Sequence, residues 1–219
     1  RAFSGLYPAR QQETELRIAQ VQAWSDEYDA AERTLAPWIA QGDRRALLDS
    51  ALYLAWGSHL KESIQRLSGW LVEHRDDQEA LALRARVASW AGDLRAARAD
   101  WEALLIENPE DLESKLGLIR LCLWDGDPVA AQRRFDALGQ QALSRPEVAT
   151  LAAQLEIASG RPSKARQRLR SLVQPGNPAR NDAIGLLADL ADSHGPWIET
   201  AYQRTETSDG LTSADPVAR

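Results

Sequence analysis

The sequence predicts an all-α fold, a right-handed superhelical solenoid built from five helix hairpins. The first observation is a turn residue that recurs at intervals of 32, 34, 34 and 34 positions: Asp26, Ser58, Gly92, Gly126 and Gly160. The second is a small residue five positions after each turn: Ala31, Ser63, Ala97, Ala131 and Ala165. The third is a tryptophan two positions before each of the first four turns: Trp24, Trp56, Trp90 and Trp124. This period is typical of helix hairpins that bury their apolar faces by stacking on one another.

The composition fits a packed helical protein and excludes some partners. Hydrophobic residues make up 44% of the chain and charged residues 26%, which is ordinary for a globular protein. The net charge of −6 argues against nucleic acid as the main partner, because phosphate neutralisation needs a basic face. Cys122 is the single cysteine, so no internal disulfide is possible. The chain lacks methionine and starts at Arg1, so we expect it to be a piece of a longer protein.

The five hairpins follow one another along the chain. The predicted helices are 12–24 and 28–39 for the first hairpin and 44–56 and 60–74 for the second, after which the third, fourth and fifth hairpins turn at Gly92, Gly126 and Gly160. Residues 1–7 are predicted to end an earlier helix, closed by Pro8. Pro128 and Pro162 follow two of the turns, as suits the first turn of a returning helix. The small residue after each turn indicates a close helix crossing, where a larger side chain would push the helices apart.

The pattern changes after the fifth hairpin. Two prolines, Pro175 and Pro178, interrupt it, and a shorter helix at 180–192 is expected to cap the stack. Apolar and polar residues then alternate over 197–204, which predicts a strand. The polar, turn-rich segment 205–219 predicts no second strand, so we expect the strand to be unpaired and the tail disordered.

The repeats resemble the tetratricopeptide repeat. The third carries Ala85, Gly92, Ala97, Trp101 and Pro109, the fourth carries Gly126, Ala131 and Phe135, and the fifth carries Ala153, Gly160 and Ala165. The second repeat is the most divergent, with Ser58 and Ser63 in place of glycine and alanine. The resemblance covers residues 12–174 and implies a binding surface, because stacks of these repeats are interaction scaffolds.

Three shorter segments point to a subset of this family. Residues 88–93 (ASWAGD) and 122–127 (CLWDGD) are similar to repeats that precede outer-membrane β-barrels in bacterial exporters of poly-N-acetylglucosamine, cellulose and the Pel polymer. The tail, GPWIETAY at 195–202 and SDGL at 208–211, looks like the first strand and turn of such a barrel. We therefore expect a solenoid domain at 1–194 and, at 195–219, a linker with the start of a truncated barrel.

This narrower resemblance implies a role and a location. The domain would be a soluble scaffold on the periplasmic side of the outer membrane, where it docks a polymer-modifying enzyme, a deacetylase or hydrolase. It would also guide a partly deacetylated, cationic polysaccharide to the pore, which suits the acidic charge balance. No catalytic residue, metal or cofactor is implied.

Two rows of residues are candidates for partner or polymer binding. Trp24, Trp56, Trp90 and Trp124 are predicted to line one edge of a groove formed by the first helices, where their indoles could stack on sugar rings or anchor a protein. The alternative is that these indoles pack between successive repeats. We assign the tryptophans of the returning helices, Trp38, Trp70 and Trp101, to the core.

Charged residues recur in the same predicted groove. Glu79, Glu113 and Glu147 are 34 residues apart, and Arg86 and Arg120 form a shorter basic patch. Aligned carboxylates could receive the amino groups of glucosamine or a basic protein surface. The alternative is a solvated face whose charges pair with each other, Arg86 with Glu79 or Glu113.

Other function classes have weaker support in the sequence. His59, His74 and His194 share no metal-ligand spacing, and no glycine-rich phosphate loop is present. The main alternative function is a tetratricopeptide adaptor that captures the tail of a protein unrelated to polysaccharide export. Arginines at Arg45, Arg86 and Arg120 would then hold a terminal carboxylate, although the acidic row opposes this role.

Overall fold

A computed structural model describes residues 8–193, 201–206 and 212–217. It divides the chain into two compact units, Arg1–Gly139 and Gln140–Arg219. The predicted helix closed by Pro8 and the predicted turn at 208–210 lie outside the described residues. Pro8 itself opens the first described helix, where its missing N–H costs nothing because the first N–H groups of a helix have no intrahelical partner.

The first unit contains four helix hairpins, which confirms the predicted all-α solenoid. The helices are α1 Pro8–Trp24, α2 Tyr28–Ala40, α3 Arg44–Trp56, α4 Leu60–Glu73, α5 Gln78–Trp90, α6 Leu94–Glu107, α7 Leu112–Trp124 and α8 Pro128–Asp136. Each packs against the next along the chain, and the first helices of successive hairpins also touch: α1 with α3, α3 with α5, and α5 with α7. The first helices therefore form one continuous layer.

The second unit holds the fifth hairpin, its cap and a β-hairpin. Its helices are α9 Gln140–Leu143, α10 Pro146–Ala158, α11 Pro162–Leu172 and α12 Arg180–Ser193. As predicted, α12 packs on the last hairpin, where Ala183 and Leu190 are buried against Leu169. The short helix α9 has no counterpart in the repeat pattern.

The tail differs from the expectation of an unpaired strand. Strand β1, Ala201–Glu206, pairs antiparallel with β2, Thr212–Val217, and Ala201 lies opposite Val217. The sequence of β2 hides this strand because it contains Asp215 and Pro216 and lacks alternating apolar residues. The first four residues of the predicted strand, 197–200, lie outside the described residues.

The predicted turn residues all adopt the left-handed backbone conformation. The φ angle is +78° at Gly92, +74° at Gly126 and +71° at Gly160. Asp26 and Ser58 occupy the same conformation at +61° and +67°, which costs a residue with a side chain about 1–2 kcal/mol. The turn geometry is therefore kept even in the two repeats that lack the glycine.

The small residue five positions after each turn is completely buried in all five hairpins. Ala31, Ser63, Ala97, Ala131 and Ala165 have no exposed surface. The Ser63 hydroxyl donates a hydrogen bond of 2.6 Å to the carbonyl of Ala51, so its polar group is satisfied at the crossing. This confirms that the two helices of each hairpin cross at this position.

Substitution of Ala97 by leucine should destabilise the protein by about 1–3 kcal/mol, because the added side chain overpacks the crossing of α5 and α6. The matched control is Ala99→Leu on the exposed side of the same helix, which should leave stability nearly unchanged. Urea unfolding followed by circular dichroism measures both. Equal midpoints for the two variants would contradict the crossing.

Gly117 on α7 gives a second test of packing, because a Cβ atom there would lie 2.6 Å from the ring of Trp101. Gly117→Ala should therefore cost about 1–3 kcal/mol. Gly69→Ala in α4 is the control: its Cβ would meet open space, and alanine should stabilise that helix by about 0.5–1 kcal/mol. Shifts of the same sign in thermal melts would refute this account of the packing.

Candidate binding surface

The four tryptophans of the predicted row each end a first helix. Trp24, Trp56, Trp90 and Trp124 are the last residues of α1, α3, α5 and α7. Because these helices are neighbours in one layer, about 8–10 Å apart, the indoles lie at one edge of the first unit. Their exposed fractions are 66%, 41%, 44% and 53%. The indoles are thus accessible to a partner.

The tryptophans of the returning helices are more enclosed. Trp101 is buried, 3% exposed, and lies against Gly117. Trp38 and Trp70 are partly buried, and their Nε1 groups donate to Glu15 at 2.6 Å and to Asp77 at 2.8 Å. These three side chains hold the structure together, in contrast to the exposed row.

Three of the predicted charged residues line one groove of about 390 Å³. Glu79 and Arg86 come from α5 and Glu113 from α7, while α3 contributes the third side. Apolar side chains, including Leu52 and Ala82, also line the groove. The groove therefore combines apolar surface with charged groups.

The charges in the groove are partly paired, as the alternative interpretation predicts. Arg86 Nη2 lies 2.5 Å from Glu113 Oε1, and Arg44 Nη2 lies 2.8 Å from Glu79 Oε2. All four side chains are between 40% and 71% exposed, so these ion pairs contribute little to stability. Such pairs can be exchanged for a ligand at small cost.

The groove nevertheless keeps an acidic character. Four carboxylates line it, those of Asp49, Glu79, Asp111 and Glu113, with the single guanidinium of Arg86. Burial raises the pKa of Asp49, and this effect is only partly opposed by Arg45, whose Nε lies 3.9 Å away. A cation that entered the groove would therefore relieve an unfavourable concentration of negative charge.

Two predicted residues are not brought into this groove. Glu147 lies in the first turn of α10, in the other compact unit. Arg120 is partly buried on α7. Their role in binding stays a prediction.

The sequence analysis missed a row of aspartates that builds the groove. Asp43, Asp77 and Asp111 are 34 residues apart and cap α3, α5 and α7. Their carboxylates accept from the backbone N–H groups of Ala46, Ala80 and Ser114 at 2.7, 3.0 and 2.9 Å. The repeat period itself was the signal that could have revealed them.

Asp77 also ties two hairpins together. Arg44 donates to it through Nε at 2.7 Å and Nη2 at 2.8 Å, a bidentate contact from α3 to the start of α5. This contact, helped by the N–H groups of Ala80 and Trp70, holds the pKa of Asp77 well below its ordinary value despite burial. The spacing of α3 and α5, and with it the groove, is fixed by this pair.

Other kinds of site find no support in the described part of the chain. There, no group of three or more His, Cys, Asp and Glu side chains is arranged to hold a metal ion. Nor is any helix of residues 8–193 both long and apolar enough to span a bilayer.

Comparison with known proteins identifies the repeats. A family model described as tetratricopeptide repeat matches residues 91–155. The fold is similar to a tetratricopeptide repeat protein from Parabacteroides merdae (18% identity, 85% of this chain and 77% of that chain, TM-score 0.58). It is also similar to the thermophilic protein TTC0263 of Thermus thermophilus (16% identity, 81% and 97%, TM-score 0.64). No curated protein sequence matches the chain. The chain thus contains a tetratricopeptide repeat domain with a solenoid fold.

Asp77→Asn should destabilise the protein by about 1–2 kcal/mol at neutral pH, because asparagine keeps the cap but loses the ion pair with Arg44. The pKa of Asp77 is lowered in the folded state, so its contribution is complete above about pH 4 and is lost as the pH falls further. The gap between the wild type and the variant should therefore narrow only below about pH 4.

Urea unfolding between neutral and acidic pH measures this gap. Asp111→Asn is the matched control, since Asp111 caps α7 in the same way, and it should cost less than about 0.5 kcal/mol. Equal losses in the two variants would show that the ion pair contributes nothing.

Proposed function

We propose that this chain is the periplasmic scaffold of a bacterial exopolysaccharide exporter. It docks a polymer-modifying deacetylase or hydrolase and guides a partly deacetylated polysaccharide toward the export pore. The tetratricopeptide fold supports the general part of this role, because such repeats are typically non-enzymatic scaffolds for protein–protein interaction. The exporter context rests on the resemblance of residues 88–93, 122–127 and 195–211 described above.

The observation that carries the proposal is the row of four exposed indoles. Large aromatic side chains usually bury most of their surface, so the exposure of one in each successive hairpin is unusual. The faces of sugar rings present C–H groups that stack on indoles, and tryptophan is also a preferred anchor in protein interfaces. The row suits either half of the proposed role.

The acidic groove supports the choice of a cationic ligand. Asp49, Glu79 and Glu113 offer carboxylates to protonated amino groups, such as those of deacetylated glucosamine units. The ion pairs of Glu79 and Glu113 with arginines are exposed and can open when a ligand amine arrives. A fully acetylated polymer, which lacks these charges, would gain nothing from the groove.

The adaptor alternative is less favoured by the geometry. A carboxylate clamp needs arginines that are available to the ligand, but Arg86 pairs with Glu113 and Arg45 lies beside Asp49. A terminal carboxylate in this groove would also face the carboxylates that line it. No reaction is assigned to the chain under either function.

The test titrates the protein with partly deacetylated and fully acetylated glucosamine oligomers and follows tryptophan fluorescence. The deacetylated oligomer should bind more tightly, and Trp90→Ala/Trp124→Ala should raise its Kd by about tenfold, since lost stacking is worth about 1 kcal/mol or more. Glu79→Gln/Glu113→Gln should weaken the deacetylated oligomer only, and added salt should do the same.

Val72→Ala/Ile106→Ala is the control, because both side chains are exposed and apolar but lie outside the row, on α4 and α6. The same variants are then assayed for capture of the exporter's own deacetylase or hydrolase. Binding of neither oligomer nor enzyme, with tight capture of an acidic C-terminal peptide, would refute the exporter role and support the adaptor.

A further inference from the structure

The first helix of the stack exposes a face that the other first helices of the first unit bury. Five positions before the turn, Val21 on α1 is 58% exposed, whereas its counterparts Tyr53, Val87 and Leu121 are at most 2% exposed. Eight positions before the turn, Ile18 is 45% exposed, whereas Ser50 and Leu118 are buried. The repeat therefore places apolar side chains on α1 where a neighbour is required.

The structure shows what kind of neighbour covers this face elsewhere. Ala46 and Tyr53 of α3 are buried with Ala31 and Leu35 of α2. In the same way α4 covers Ala80 and Val87 of α5, and α6 covers Leu118 and Leu121 of α7. In each case the cover is an antiparallel helix with an apolar stripe. The face of α1 needs a partner with this chemistry.

Helix α1 is itself the described helix that best fits this requirement. It carries three exposed large apolar side chains, Ile18, Val21 and Trp24, and no other helix among residues 8–193 carries more than one. In the second unit, the face of the last hairpin is already occupied by α12. A helix with an open apolar stripe is therefore available from a second copy of α1.

We propose that two copies of this chain associate through α1, antiparallel about a two-fold axis, with Ile18 and Val21 at the centre of the contact. Two-fold pairing is the commonest symmetry of homo-oligomers and lets one face cover itself. Charge complementarity favours the antiparallel arrangement. It brings Arg17, whose ion pair with Glu13 is fully on the surface, toward the acidic end of the partner helix, where Asp26 and Glu27 follow α1.

The contact is small, so the dimer is expected to be weak. One helix from each copy buries less than the roughly 1,200 Å² of a stable interface, which places the Kd in the range of about 10–100 µM. Dimerisation would double the number of tryptophan rows and grooves that one assembly presents, and a long ligand could then bind both copies at once. The inference does not depend on the proposed function, since it concerns a different face.

Sedimentation velocity at protein concentrations from about 5 to about 500 µM tests the proposal. The wild type should shift from monomer to dimer over this range, and Ile18→Lys/Val21→Lys should stay monomeric or raise the Kd by at least about tenfold. The control Val72→Lys/Ile106→Lys also adds two lysines at exposed aliphatic positions, but on α4 and α6, and should dimerise like the wild type. Thermal melts confirm that both variants are folded, because all four positions are on the surface.

A wild type that remains monomeric throughout would overturn the proposal and assign the α1 face to a helix from outside this chain. A dimer that persists in Ile18→Lys/Val21→Lys would overturn it as well. Trp90→Ala/Trp124→Ala should dimerise normally, so a failure of the dimer and a failure of ligand binding are separate results.

Discussion

The close crossing of the two helices in each hairpin sets the geometry on which the other features depend. A residue no larger than alanine or serine is fully buried at all five crossings, from Ala31 to Ala165. Because each crossing is equally tight, successive hairpins of the first unit stack with a similar step, and equivalent side chains recur in rows. The tryptophan row and the capping aspartates both follow from that regularity. A larger residue at one crossing would disturb its own hairpin and also the alignment of its neighbours.

Apolar contacts alone do not fix how one hairpin sits on the next, and polar contacts add that specificity. Glu32 on α2 receives hydrogen bonds from Ser50 on α3 at 2.5 Å and from Arg66 on α4 at 2.6 Å. Arg44 and Asp77 make a similar link between α3 and α5. Partly buried ion pairs contribute little net stability, but a shifted register would leave their charges unpaired. We therefore attribute to them the register of the stack rather than its strength.

Residues fixed by the repeat could be predicted from the sequence, whereas contacts that depend on individual side chains could not. The turns, the crossings and the helix ends at the four tryptophans follow from the 34-residue period. The exposure of those tryptophans does not, because Trp90 and the buried Val87 lie three residues apart on one helix and the pattern marks both as apolar. Arg44 and Asp77 are 33 residues apart, and their pairing depends on how two hairpins stack. Strand β2 was missed because its polar sequence gives no sign of its partner.

The regular spacing of the exposed indoles bears on the kind of ligand that the surface suits. A single indole stacked on a sugar ring contributes about 0.5–1.5 kcal/mol beyond buried area, too little to hold a ligand alone. Four indoles at a regular helix-to-helix step can act together only on a ligand that is itself long and regular, or on a partner surface of matching shape. Each contact is weak, so a polymer could exchange one indole for the next without complete release. A surface that guides a chain needs this combination of weak individual contacts and repeated sites, and a surface for a short peptide does not.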